Sequence, residues 1–294
     1  MRNIFKEIKG VRVLMNESLK RHTSIKIGGR AKFFIRAYTQ EGLLNLMRLL
    51  KEKRMPYFII GAGTNVLFPD RGYRGVIIQL RGVFQRIENH NGLFIAGAGV
   101  KLKDLLKRAM EKDYGGAEFL TGIPGTVGGA IKGNAGAFGN SISEITKGVV
   151  LLDKNLKIKY KDKTELKFGY RKSEIGEGEI ILYGELKFSK KEKKRIARKM
   201  AEFLKRRRER QPWGYSAGSF FKNPLPFTAG SLIDECGLKG KRIGDAMVSK
   251  KHANFIINLG RAKSADVLRL VRLIQKRVKE KRGIELEPEV RIVC

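Results

Sequence analysis

Residues 122–139 read GIPGTVGGAIKGNAGAFG, seven glycines in 18 positions with one charged side chain, Lys132. No other stretch limits the fold so strongly, because glycine loses more backbone freedom on folding than any other residue. A flexible linker of this glycine content would carry serine, glutamine and charge. Here the spacers are Ile, Pro, Thr, Val, Ala and Phe, which favour burial. The block therefore reads as a buried loop that lines something, and backbone N–H groups without a neighbouring Cβ can approach an anion closely. Two shorter loops, Gly61–Ala62–Gly63 and Gly97–Ala98–Gly99, each follow a strand-like run. Both fail the G-x-G-x-x-G dinucleotide fingerprint, since Val66 and Leu102 stand where the third glycine belongs. Three such loops point to a large phosphate-bearing cofactor held more by main chain than by charge.

The remaining sequence supplies secondary structure around these loops. AKFFIRAY (31–38) reads as a strand. TQEGLLNLMRLLKEKRMP (39–56) reads as a helix capped by Thr39, with Leu43, Leu46, Met47 and Leu50 on one face and Pro56 as its stop. YFIIGAG (57–63) and GVIIQL (75–80) are strand-like, and 84–99 is a hairpin turning at Asn91-Gly92. A helix (101–113), a second hairpin (148–162) and a strand (178–188) follow. The basic segment 189–211 keeps Ile196, Met200 and Leu204 at helical spacing, so its charges read as a solvated helix face. Beyond it come a strand (252–260), a helix from Ser264 to Arg282 and the closing GIELEPEVRIV (283–293). The class is α+β with mixed sheets.

A chain of 294 residues accommodates two or three domains. It has no apolar run of the roughly 18 residues that a membrane helix needs, and its start does not resemble a secretory leader. A soluble, cytoplasmic protein is expected. Cys236 and Cys294 do not make a disulfide framework, and His22, His90 and His252 lack metal-ligand spacing, so no metal is expected. The formal net charge is +33, from 62 Lys+Arg against 29 Asp+Glu. Nucleic-acid binding, a thermophile's surface and a field that draws in polyanionic small molecules would each account for it. The excess is spread along the chain without a nucleic-acid motif, which disfavours the first and leaves the other two open.

Seven blocks then fall, in order, on one family pattern: HTSIKIGGRAKFFI, GAGTNVLFPD, EFLTGIPGTVGGAIKGNAGAFG, GYRKS, SAGSFFKNP, GLKGKRIGDAMVSKKHANFIIN and LEPEV. From residue 22 to 292 the chain resembles the UDP-N-acetylenolpyruvoylglucosamine reductases, or UDP-N-acetylmuramate dehydrogenases. It resembles their shorter form, which lacks an inserted substrate-covering loop. The resemblance implies a vanillyl-alcohol-oxidase-type FAD-binding region of two α+β subdomains (1–64 and 65–190) and a smaller α+β substrate-binding domain (191–294). It implies FAD as cofactor, NADPH as reducing co-substrate, and reduction of UDP-N-acetylglucosamine enolpyruvate to UDP-N-acetylmuramate for peptidoglycan synthesis. Partners would then be small molecules, without nucleic acid or membrane insertion, and a monomer is compatible with that role. The cofactor contacts carried over fall on Gly61, Ala62, Gly63, Thr64 and Asn65. In the long block they fall on Gly122, Ile123, Gly125, Thr126, Gly128, Gly129, Ala130, Asn134 and Ala135. Thr64 and Phe138 stand where the family pattern has serine and tyrosine, and Lys132 is an addition to the block.

Three polar residues complete the expectation. By themselves Arg171 reads as a surface cation, Ser219 as a turn serine before Asn223-Pro224, and Glu289 as an outward carboxylate of an extended 284–292. The resemblance makes them catalytic. Hydride addition to the enolpyruvyl methylene leaves negative charge beside a carboxylate, which must be stabilised and protonated. Arg171 would grip that carboxylate with a planar fork, Glu289 would support the enolate-like state, and Ser219 would deliver the proton. Phe220 and Phe221 would exclude water. Tyr170, Lys222, Asn223, His252 and Asn254 are expected to hold the substrate. Two competing readings are an oxidase built on the same FAD fold and a nucleic-acid binder using 189–211; the second leaves the glycine blocks unexplained.

Overall fold

The computed structural model describes residues 2–293, so Cys294 and its pairing lie outside the described residues. Strands β1 (Val11–Ser18), β2 (Arg30–Ala37), β3 (Tyr57–Ile59) and β4 (Tyr73–Leu80) form a sheet in the order β1-β2-β4-β3, with helix α1 (Gln40–Glu52) between β2 and β3. β3 and β4 are parallel, Tyr57 facing Val76 and Ile59 facing Ile78. Thr39 caps α1 as expected, its hydroxyl accepting from Gly42 N at 3.1 Å. Leu43, Leu46, Met47 and Leu50 pack into one core with Phe33, Ile35, Val76 and Ile78. The helix ends at Glu52, before the expected proline stop, because Arg54 adopts φ 49° and the residue ahead of a proline avoids helical backbone.

A second sheet contains β5 (Ile87–His90), β6 (Leu93–Gly97), β7 (Thr146–Leu152), β8 (Ile158–Asp162) and β9 (Ile180–Lys187), in the order β8-β7-β9-β6-β5. Its neighbouring strands are all antiparallel. Asn91 and Gly92 form the first hairpin turn with φ 50° and 87°, the positive values that a two-residue turn with native twist requires. Helices α2 (Leu102–Glu111) and α3 (Val127–Lys132) bury Leu102, Leu105, Val127 and Ile131 with Phe94, Val149 and Leu186 of this sheet. The basic segment forms α4 (Lys193–Arg210), which buries Ile196 and lays Met200 and Phe203 beside it. Its charges line the exposed faces, as the spacing predicts.

The chain divides into two compact units, one of Met1–Met15, Phe33–Ala62 and Gly75–Arg206, the other of Asn16–Lys32, Gly63–Arg74 and Arg207–Cys294. In the second, β10 (Tyr215–Ser219), β11 (Arg242–Ile243), β12 (Ala246–Val248) and β13 (Phe255–Asn258) form an antiparallel sheet ordered β10-β13-β12-β11. Helices α5 (Ala229–Glu235) and α6 (Ser264–Arg282) share a core with it, including Phe220, Phe221, Leu232, Ile256, Val271 and Ile274. Asp70 caps α6 from far away in sequence: its carboxylate accepts from Ser264 N at 2.9 Å and from the Ser264 hydroxyl at 2.8 Å. In 284–292 Leu286 and Val290 are buried while Glu285 and Glu287 face outward. Arg291–Ile292 then pairs in parallel with Val66–Leu67. Among the described residues no helix is long and apolar enough to cross a membrane, and no group of three His, Cys, Asp or Glu side chains is placed to hold a metal.

Candidate active site

The glycines of the first unit separate by what a side chain would meet. At Gly61 a Cβ would lie 2.6 Å from the Thr126 hydroxyl, and at Gly128 a Cβ would lie 2.7 Å from that of Ala98. Both are glycine because protein packs against them. Gly122 is glycine for its backbone, with φ 79°. Gly125 and Gly129 satisfy neither condition: their φ values are not positive, and a Cβ would meet nothing closer than 3.6 and 3.5 Å. Neither conformation nor packing requires glycine there, since a Cβ would make only ordinary van der Waals contact. The block is not all loop, since 127–132 forms α3, capped by the Thr126 hydroxyl accepting from Gly129 N at 3.4 Å. The next donors are also engaged, Val127 N with Val100 O at 2.9 Å and Gly128 N with Ala98 O at 3.0 Å. The expected main-chain cradle is thus narrower than the glycine count implied. Residues 127–129 offer close approach rather than N–H donors.

The far end of the block meets GYRKS. Asn134, at φ 39°, donates from Nδ2 to Gly169 O at 2.9 Å and accepts from Ser143 N at 3.3 Å. Ser173 donates to Lys132 O at 3.0 Å, and Arg171 Nη1 donates to Gly136 O at 3.0 Å. Gly169 and Lys172 exchange backbone hydrogen bonds, which leaves Tyr170 and Arg171 at the tip of a tight turn. Arg171 sits at φ 56°, a left-handed conformation costing a non-glycine residue about 1–2 kcal/mol. That conformation is held by the contacts just named. Tyr170 is 48% exposed, and the Arg171 guanidinium lies 5.5 Å from the centre of its ring.

In the second unit Ser219 and Glu289 come together through three adjacent segments. Ser219 ends β10 opposite Phe255. The following Phe220 and Phe221 are each 1% exposed, and Phe220 N donates to Asn254 O at 2.7 Å. On the other side Glu289 N donates to Phe220 O at 2.8 Å and Lys222 N to Glu287 O at 2.9 Å. Ser219 and Glu289, both half-buried, are therefore carried by neighbouring backbone. The predicted cofactor residues Thr64 and Asn65 join them. Asn65 Nδ2 donates to Glu289 O at 3.1 Å, and a side chain at Gly218 would come within 4.0 Å of Thr64 O. Gly63, at φ 66°, runs against the His22 carbonyl, where no side chain fits.

The expected substrate residues differ in what they have free to offer. Asn254 is 3% exposed, and its side chain acts as a strand segment toward Phe221, accepting from Phe221 N at 2.9 Å and donating to Phe221 O at 2.8 Å. Its geometry is that of a positioning group, with both ends of the amide engaged by Phe221. Lys222 Nζ pairs with Glu287 at 2.5 Å, and Asn223 Oδ1 accepts from Ala229 N at 3.0 Å. His252 Nδ1 accepts from Asn254 N at 3.2 Å, which leaves its proton on Nε2. Burial, with the charge of Lys239 added, holds the His252 pKa below its ordinary value. Ser24 and Gln79 were assigned no role from sequence. The Ser24 hydroxyl donates to Ser216 O at 2.6 Å and Gln79 Nε2 to Gly61 O at 3.3 Å. Ser24 belongs to the HTSIKIGGRAKFFI block, whereas Gln79 carries no sequence signal.

Residues 210–293 match the family model described as UDP-N-acetylenolpyruvoylglucosamine reductase, C-terminal domain, and residues 31–155 match that described as FAD binding domain. The UDP-N-acetylenolpyruvoylglucosamine reductase of Caldanaerobacter subterraneus subsp. tengcongensis is 43% identical over 100% of this chain and 96% of its own length. That of Alkaliphilus oremlandii is 43% identical over 96% of this chain and 93% of its own length. The crystal structure of the Thermus caldophilus enzyme superposes with a TM-score of 0.83 at 38% identity, covering 97% of this chain and 99% of that one.

Proposed function

Since the chain belongs to the UDP-N-acetylenolpyruvoylglucosamine reductase family, we propose that it uses FAD and NADPH to reduce the enolpyruvyl ether of UDP-N-acetylglucosamine enolpyruvate, giving UDP-N-acetylmuramate. The observation that carries this reading is the backbone register that sets Glu289 N on Phe220 O, beside Ser219. Half-buried Ser219 and Glu289 are thus carried on neighbouring backbone next to buried Phe220 and Phe221, which supports a setting with restricted water for protonating carbon.

The residues present fit a dinucleotide, because Gly125 and Gly129, needed as glycine neither for backbone conformation nor for protein packing, leave the main chain bare of side chains there. Gly61 to Asn65, Gly122, Ile123, Gly125, Thr126, Gly128 to Ala130, Asn134 and Ala135 would hold it, the loop and block contributing contact surface and backbone groups. The chemistry expected of bound FAD is hydride transfer, electrons received from NADPH being passed with a hydrogen to the terminal methylene of the ether. On the substrate the methylene becomes a methyl group and its electron pair moves to the carbon beside the carboxylate. Arg171 binds that carboxylate through charge-assisted hydrogen bonds, and its turn, strapped to Gly136 and Lys132, limits the reorganisation needed. Glu289 supports the enolate-like state. The Ser219 hydroxyl gives its proton to the carbanionic carbon, completing the D-lactyl ether, and is reprotonated from solvent. Tyr170, Lys222, Asn223 and the Nε2–H of His252 contact the sugar nucleotide, while Asn254 acts through the backbone it holds. In this scheme 1–64 and 65–190 serve the cofactor and 191–294 the substrate, and the cytoplasm is where the reaction takes place.

The test separates the two half-reactions. With Ser219→Ala, flavin reduction by NADPH should stay within about twofold of wild type. Reoxidation by the enolpyruvyl substrate should slow by roughly a hundredfold or more, the scale of a lost general acid. Equal loss in both halves would remove Ser219 as proton donor, and a purified protein that takes up no flavin would overturn the cofactor assignment.

A further inference from the structure

At the carboxyl ends of β2 and β4, Arg36 and Arg81 lie on neighbouring strands, close enough for the charge of one to act on the other, and among the described residues no carboxylate pairs with either. The strand ends meet there, Arg81 N donating to Ala37 O at 2.8 Å and Val83 N to Tyr38 O at 3.0 Å. Arg36 and Tyr38 alternate with the core-facing Ile35 and Ala37, as Gln79 and Arg81 alternate with Ile78 and Leu80; both pairs therefore share the other face of the sheet. Buried Gln79 connects this face to the first glycine loop. Its Oε1 accepts from Arg81 Nε at 3.2 Å while its Nε2 donates to Gly61 O at 3.3 Å. Arg36 Nε is out of contact with solvent and has no hydrogen-bond partner.

In a chain of net charge +33 most arginines are solvated surface groups. These two are not in that situation. Both are half-buried, and the charged or titratable groups that act on Arg81 are Arg36 and Tyr38, with no carboxylate among them. Burial first and the Arg36 charge second lower the Arg81 pKa, the mark of like charges held close where water screens them poorly. A cation pair of this kind lowers its energy when an anion arrives, and paired guanidinium forks match phosphate oxygens better than any other protein group. The carboxyl ends of parallel strands are also where open α/β sheets receive nucleotides.

Resting on the FAD assignment above, we propose that Arg36 and Arg81 recognise the diphosphate of the dinucleotide held at the Gly61 loop, and so select FAD over flavins that lack a diphosphate. Gln79 positions Arg81 by holding its Nε, which leaves the outer fork for phosphate. The preference is electrostatic and should weaken as salt rises.

Flavin-free protein would be titrated with FAD, FMN and riboflavin by quenching of flavin fluorescence, for wild type, Arg36→Gln, Arg81→Gln and Arg81→Lys. Each glutamine variant should bind FAD at least tenfold more weakly, the scale of a lost charge-assisted hydrogen bond. Riboflavin affinity should stay within twofold, and Arg81→Lys should fall between. Thermal unfolding gives a readout that a merely structural role would not produce. Without flavin the glutamine variants should melt at or above the wild-type temperature, because a repulsion has been removed, while the stabilisation conferred by FAD shrinks. Unchanged FAD affinity in both glutamine variants overturns the proposal. So does normal FAD affinity with a raised KM for NADPH, which would assign the pair to the reductant's phosphate. Wild-type protein that binds no flavin overturns both this proposal and the cofactor assignment.

Discussion

Replacing Asn254 by alanine tests whether the structure has assigned that residue correctly. The substitution removes two hydrogen bonds, of 2.9 and 2.8 Å, and leaves Phe221 N–H and C=O without partners beside a side chain that is 3% exposed. Each buried group left unsatisfied costs about 1–3 kcal/mol, so the variant should lose roughly 3–5 kcal/mol. At about 3 °C per kcal/mol for a domain of this size, the melting temperature should fall by around 10 °C. Asn254→Asp keeps the shape and the acceptor for Phe221 N but sets a carboxylate oxygen against Phe221 O, so it should lose a comparable amount. Differential scanning calorimetry measures both. Ser219 lies two residues before Phe221, so reoxidation of reduced flavin by the substrate should slow even where the fold survives, while reduction by NADPH changes little. An alanine variant that melts within about 1 °C of wild type would refute the reasoning. If such a variant also raised KM for the sugar nucleotide, Asn254 would be a direct substrate contact after all.

Arg171→Lys should slow substrate-dependent flavin reoxidation by roughly tenfold or more, since an ammonium cannot reproduce the fork or both of its contacts; a wild-type rate in stopped flow would remove Arg171 from the mechanism. Asp70→Ala should destabilise the protein by about 2 kcal/mol, because α6 loses a capping carboxylate that bonds both its first N–H and its Ser264 hydroxyl. Urea unfolding would show this as a lower midpoint with little change in slope. His252 has its folded pKa depressed below 6.5, so the unfolded chain takes up the proton first. Its contribution to stability is fully present above that value and is lost as pH falls through it. His252→Gln should flatten the decline in stability between about pH 7 and 5, and an unchanged profile would show that the ring titrates normally.

The elements with their own local signals were legible in the sequence. Thr39 followed by a leucine stripe, Asn91-Gly92 between alternating apolar residues, and the start of α6 at Ser264 each rest on capping, turn chemistry or periodicity, which act over a few residues. The ordered motifs also identified the family, from which the proposed roles of Arg171, Ser219 and Glu289 are carried over. What local rules do not carry is which groups already have partners. Asn254 looks like a polar residue available to substrate, yet the fold uses both ends of its amide to hold Phe221. Seven glycines look equivalent in a string, yet packing accounts for Gly128, backbone conformation for Gly122, and neither accounts for Gly125 or Gly129. Asp70 becomes the cap of α6, 194 residues away, only when the chain folds back. Arg36 and Arg81 are two of 62 basic residues until the ends of β2 and β4 meet. Sequence by itself determined the class, the family and the chemistry on offer, because propensity and motif are local properties. Tertiary structure decided which polar groups are satisfied and which remain open, because a hydrogen bond or an uncompensated charge is a relation between residues that the chain brings together only by folding.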